Sequence, residues 1–248
     1  MNGILELPAP PADRRIPYGP EALQFGDLRL PAAAGPHPLV IFIHGGFWRA
    51  RRNLEYAGHL CAALAERGVA SWNIEYRRVG DPGGGFPGTL EDVLLACRFV
   101  EELAQSYPLD LTHITVAGHS AGGHLALWMA AQECLPLRRA ISLAGVTDLR
   151  RGSELHLGDG AIDDFMGGSP AQMDAAYRSA SPLELVPFPT PQLMIHGTLD
   201  DVVPIELSDR FSAASNNCAV LRLEGADHFD IVDPRSRFWP AVIKELAG

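Results

Sequence analysis

Lysine is nearly absent: Lys244 is the only one among 20 basic residues, against 30 Asp and Glu, for a formal net charge of -10. Phosphate binding draws on clustered Lys and Arg, so this balance excludes a nucleic-acid partner. The densest basic stretch, Arg49, Arg51 and Arg52, reads as a solvated face. No run of about 18 apolar residues occurs, and the first residues lack a basic start followed by an apolar stretch. Membrane spanning and secretion are therefore not expected, and the cytoplasm is the expected compartment. Cys61, Cys97, Cys134 and Cys218 form no CxxC pair and no HExxH is present, which excludes the common zinc signatures. Reduced, buried thiols are expected. Internal repeats and low-complexity tracts are also missing.

What is present is an ordinary globular composition, 47% hydrophobic and 20% charged, in a 248-residue chain that reads as a single α/β domain. The first 37 residues are rich in Pro, Ala and Gly, with a short edge strand expected at 24–30. The run LVIFI at 39–43 is continuous, apolar and β-branched, the pattern of a strand buried on both faces. Helical stretches at 54–67, 90–107 and 121–131 then alternate with strands at 69–74, 114–117 and 140–143. Such alternation predicts right-handed crossovers and a mostly parallel sheet flanked by helices. In the 90–107 stretch Val93, Cys97, Val100 and Ala104 share one face, and Thr89 with Asp92 has the capping-box spacing. Residues 147–189, acidic and rich in Gly and Pro with a weak helical signal at 171–180, break the rhythm and read as an inserted cap or lid. Strands at 192–195 and 219–223 and helices at 205–214 and 234–246 complete the alternation.

Gly118-His119-Ser120-Ala121-Gly122 is a GxSxG sequence set where a strand runs into a helix, the context that motif requires. A serine hydroxyl needs a base to take its proton and a group behind the base to hold its tautomer. Both follow in chain order: Asp200 after the strand at 192–195, and His228 after the strand at 219–223. Asp201 and Asp148 remain alternative acids. His44, His119, His124 and His196 read as packing, turn or supporting residues rather than metal ligands. His44-Gly45-Gly46-Phe47-Trp48 follows the first buried strand, so amides of Gly45, Gly46 and Phe47, with that of Ala121, are expected to form an oxyanion hole. Trp48, Phe86 and Phe165 are candidates for a substrate pocket. The literal GxGxxG within residues 83–88 is rejected as a dinucleotide site, because six residues separate it from its strand and Pro87 removes an amide.

With these motifs the chain resembles the α/β-hydrolase superfamily from Leu39 onward. HGGFW and GHSAGGHLA resemble the arylformamidase branch and bacterial esterases of the hormone-sensitive-lipase, feruloyl and acetyl-xylan types; Phe47 departs from the lipase pattern, which has a third glycine there. The stretch FMGGSPAQMDAAYRSASPLELV resembles the segment before the acid in those esterases and in prolyl-oligopeptidase-like enzymes. The resemblance implies a cofactor-free serine esterase of small carboxylic esters, with an arylformamidase acting on N-formylkynurenine as the alternative. A non-catalytic hydrolase-like binding protein is a third reading. A base of ordinary histidine pKa predicts that activity falls on acidification below about 6.5.

Overall fold

The computed structural model describes residues 3–248. The strands are β1 (Arg14–Pro17), β2 (Phe25–Arg29), β3 (His37–Ile43), β4 (Ala70–Ile74), β5 (Leu109–His119), β6 (Leu137–Leu143), β7 (Gln192–Gly197) and β8 (Cys218–Leu223). The helices are α1 (Gly58–Glu66), α2 (Gly88–Arg98), α3 (Val100–Ser106), α4 (Ala121–Ala131), α5 (Leu149–Glu154), α6 (Leu157–Met166), α7 (Asp174–Ala180), α8 (Pro182–Leu185), α9 (Glu206–Ala214) and α10 (Trp239–Ala247). The strands form one sheet in the order β1-β2-β4-β3-β5-β6-β7-β8. β1 and β2 run antiparallel at one edge, and every pairing from β4 through β8 is parallel.

β3 shows why the apolar runs become inner strands. Successive side chains alternate between faces, and here both faces are covered: Leu39, Ile41 and Ile43 enter one core, Val40 and Phe42 the other. Each fully buried aliphatic or aromatic side chain contributes about 1.5–3 kcal/mol, so this strand is anchored from both sides. The first core is closed by α2, α3, α4 and α9, the second by α1 and α10.

Several local expectations are corrected. The 90–107 helix is two helices, α2 and α3, which meet at Phe99. Thr89 lies inside α2, its hydroxyl donating to Arg77 O, while Asp92 accepts from Arg77 and Gln24; no capping box forms. Cys97 and Cys134 are joined in a disulfide, so these two are not reduced thiols, whereas Cys61 and Cys218 are free. Packing of α2 against α4 brings the two together across 37 residues of sequence. Residues 147–189 fold into α5 to α8 and bury Phe165, Met166 and Tyr177 in the first core.

Candidate active site

The parallel strands deliver the sequence-selected residues to one edge. Ser120 follows β5, the His44–Trp48 loop follows β3, Asp200 follows β7 and His228 follows β8, all beyond carboxyl ends, where sheets of this kind form their crevices. Ser120 sits at φ 57, ψ -120, a strained conformation for a non-glycine residue. Its flanking glycines make the turn sterically feasible: a Cβ on Gly118 would lie 2.1 Å from Gly122 O, and one on Gly122 would lie 2.0 Å from Ile43 O. Backbone atoms stand at both places, so no side chain can swing aside.

His228 Nδ1 lies 2.7 Å from Asp200 Oδ2, with both side chains buried. The other carboxylate oxygen accepts from the Val202 and Val203 amides at 2.9 and 2.8 Å, and His196 Nε2 approaches Oδ2 at 3.2 Å. Burial pushes the Asp200 carboxyl up, but hydrogen bonds from His196 and His228, the His228 charge and the Val203 amide together hold it well below the usual carboxylate range. The other acids are placed elsewhere. Asp148 caps α5 through the Arg151 amide and pairs with Arg210, and Asp201 is exposed.

Phe47 and Trp48 both adopt positive φ, 53° each, which is costly for bulky side chains. That backbone leaves the Gly46 and Phe47 amides, and the Ala121 amide at the start of α4, without acceptors among the described residues. Gly45 corrects the expected set: its N–H donates to the Tyr56 hydroxyl at 2.7 Å. What Gly45 supplies is close approach, since a Cβ there would stand 2.6 Å from His119 O and 2.9 Å from the Ser120 Cβ.

His119 takes the supporting place read for it in the sequence, but its partner Tyr56 carried no sequence signal. The Tyr56 hydroxyl has one proton; it accepts from Gly45 and so donates to His119 Nδ1 at 2.9 Å, and His119 Nε2–H in turn donates to His228 O at 2.9 Å. The chain of bonds ties the glycine loop to the backbone of His228. Burial, and then the His228 charge, hold His119 well below its ordinary pKa, in keeping with a neutral ring that accepts on one side. His44 sits behind the same loop, with Nδ1 at 2.8 Å from Gly45 O and Nε2 at 2.9 Å from Glu75.

Ser120 and His228 open on one cavity of about 500 Å³, also lined by Phe47, Tyr56, Arg51, Arg52 and Leu5. The aromatic pocket expected from Trp48, Phe86 and Phe165 is not there. Trp48 and Phe165 are buried and stack face to face at 4.7 Å, because large rings gain more in the core than at a rim; Phe86 is half-buried beside them, its amide on Phe165 O. No residue of 147–189 lines this cavity among the described residues; instead Arg49 donates to Gly158 O and pairs with Asp164, bracing the glycine loop from outside. No helix among the described residues is long and apolar enough to cross a membrane.

Comparison with known proteins bears on the fold and the family. A gut-microbiota carbohydrate esterase in truncated form superposes with TM-score 0.79 over 95% of this chain and 97% of its own, at 20% identity, which establishes the α/β-hydrolase fold. Esterase LipC of Mycobacterium tuberculosis is 27% identical over 89% of this chain, and the chain spans 60% of its length. Kynurenine formamidase of Danio rerio is 29% identical over 54% of this chain and 46% of its own. The BD-FAE family model matches residues 27–214. The chain belongs to the BD-FAE family, on an α/β-hydrolase fold.

Proposed function

We propose that the protein is a serine carboxylesterase of small esters. The observation that carries this reading is the strained Ser120, sharing a cavity with the Asp200-bonded His228 and facing a loop with unpaired amides. His228 Nε2 takes the Ser120 proton as Oγ adds to the ester carbonyl carbon. The resulting oxyanion is held by the Gly46, Phe47 and Ala121 amides, each such donor being worth about 10²- to 10³-fold in rate. On collapse the C–O bond breaks and His228 returns its proton to the departing alkoxide. Water, deprotonated by His228, then attacks the acyl-enzyme and releases the acid and Ser120. Asp200 keeps Nδ1 protonated and stabilises the imidazolium.

An aryl formamide would pass through the same steps with an aniline as leaving group, and the likeness to a kynurenine formamidase favours testing it. Hydrolysis of p-nitrophenyl esters from acetate to decanoate, with N-formylkynurenine alongside, separates the two. Ester turnover that falls about 10⁵-fold in Ser120→Ala supports the reading; equal activity of both proteins refutes it, and a strong preference for the formamide replaces the substrate. The Cys97–Cys134 bond weighs against the cytoplasmic location expected from composition, since disulfides rarely persist there. Thiol counting after rapid acid quenching of cells decides that point: four free thiols mean a reducing compartment.

A further inference from the structure

The stretch read from sequence as a solvated basic face divides in the structure. Arg49 is spent on Asp164 and on two carbonyls of the α6 turn. Arg51 and Arg52 line the Ser120 cavity, and neither guanidinium has an ion pair or hydrogen bond among the described residues. In a chain of net charge -10, where most arginines hold a carboxylate, two free cations at one cavity stand out. Arg52 is close to the reaction centre: a Cβ placed on Gly46 would meet the Arg52 Cβ at 2.5 Å, and the Arg52 charge is felt at the Tyr56 hydroxyl.

Among the described residues, no carboxylate lines this cavity. Asp200 lies behind His228, its oxygens bonded to two histidines and two amides. Glu55 borders the adjoining recess, and Glu75 and Asp81 are paired with Arg78. We propose that the site selects substrates carrying a carboxylate on the acyl or alcohol portion, drawn in and oriented by Arg51 and Arg52. A cavity lined by one sign of charge raises the local concentration of oppositely charged substrate by about 10- to 10³-fold. This proposal rests on the Ser120 esterase reading.

The test compares matched pairs: 4-carboxyphenyl acetate with its methyl ester for the alcohol side, and the phenyl monoester of adipic acid with phenyl hexanoate for the acyl side. The expected result is a preference of roughly tenfold or more in kcat/KM for the anionic member of one pair, which says where the charge sits. The preference shrinks at high salt and is lost in Arg51→Gln/Arg52→Gln, but not in Arg67→Gln, which ends α1 just before the amino end of β4, away from the carboxyl ends that carry the site. Hydrolysis that depends on Ser120 but shows no anionic preference in either pair overturns this proposal and leaves the esterase reading intact. Should neither pair be turned over, titration of Ser120→Ala with 4-acetamidobenzoate and its neutral amide still decides. Carboxylate-selective binding removed by the double Arg variant supports the proposal, and equal binding or none overturns it.

Discussion

Removing a single oxygen tests whether the Gly45–Tyr56–His119 chain positions the site. In Tyr56→Phe the ring and its edge contact with His119, at 5.8 Å between centroids, are retained, while the Gly45 amide loses its acceptor and His119 Nδ1 its donor. Leaving a buried polar group unpaired costs about 1–3 kcal/mol. Tyr56 borders the cavity, so water can reach part of the vacated space, and the two losses together come to about 2 kcal/mol. For a chain of this length that corresponds to a fall in Tm of roughly 4–8 °C. The glycine loop loses a tether, and the His119 ring that holds the His228 carbonyl loses its anchor, so kcat falls roughly 10- to 100-fold with a smaller change in KM. Calorimetry and p-nitrophenyl acetate kinetics read both effects. A variant with wild-type Tm and kcat would refute the positioning role.

Other expectations follow from the same geometry. Asp200→Asn lowers kcat about 10⁴-fold by presenting the wrong partner to Nδ1, while Asp201→Asn leaves it within about twofold; equal losses in both would reopen the choice of acid. Burial holds His124 down to about 4 and His119 well below its ordinary value, so below pH 6.5 the unfolded chain binds protons that the native one refuses. Stability therefore declines as pH falls from about 6.5 to about 4, and a flat Tm over that range would contradict it. The depressed Asp200 carboxyl acts lower: its stabilisation is complete above about pH 4 and is lost only as pH falls further, so it does not limit activity near neutrality. Cys97→Ala with Cys134→Ala reopens a 37-residue loop and costs about 3–4 kcal/mol in the chain-entropy account; an unchanged denaturation midpoint would argue that the bond does not form in solution.

The inner strands and the three chain-order positions of Ser120, Asp200 and His228 were legible because each rests on a local signal. Apolar β-branched runs write β3 and β5 directly, and GxSxG requires a strand on one side and a helix on the other. The break at Phe99 was not legible, since that residue keeps near-helical angles of -65° and -16° and the apolar face continues through it. β1 was missed because Arg14–Pro17 is mostly exposed and carries no apolar run. Trp48 of the HGGFW loop and Phe165 of α6 were misplaced for a different reason: Phe47 and Trp48 are neighbours that both adopt positive φ, yet Phe47 lines the cavity while Trp48 enters the core. Tyr56, Arg51, Arg52 and Leu5 reach the site from outside any motif, so only the folded chain reveals them. The same holds for the Cys97–Cys134 pairing, which depends on how α2 meets α4.

The most direct test of the central claim is stoichiometric labelling with a fluorophosphonate, followed by peptide mapping and assay of ester hydrolysis on the labelled protein. One phosphonyl group per chain on Ser120 is expected, with loss of activity in proportion to labelling and no labelling after denaturation. Full activity in protein labelled at Ser120, or inactivation with the label on another residue, would contradict it.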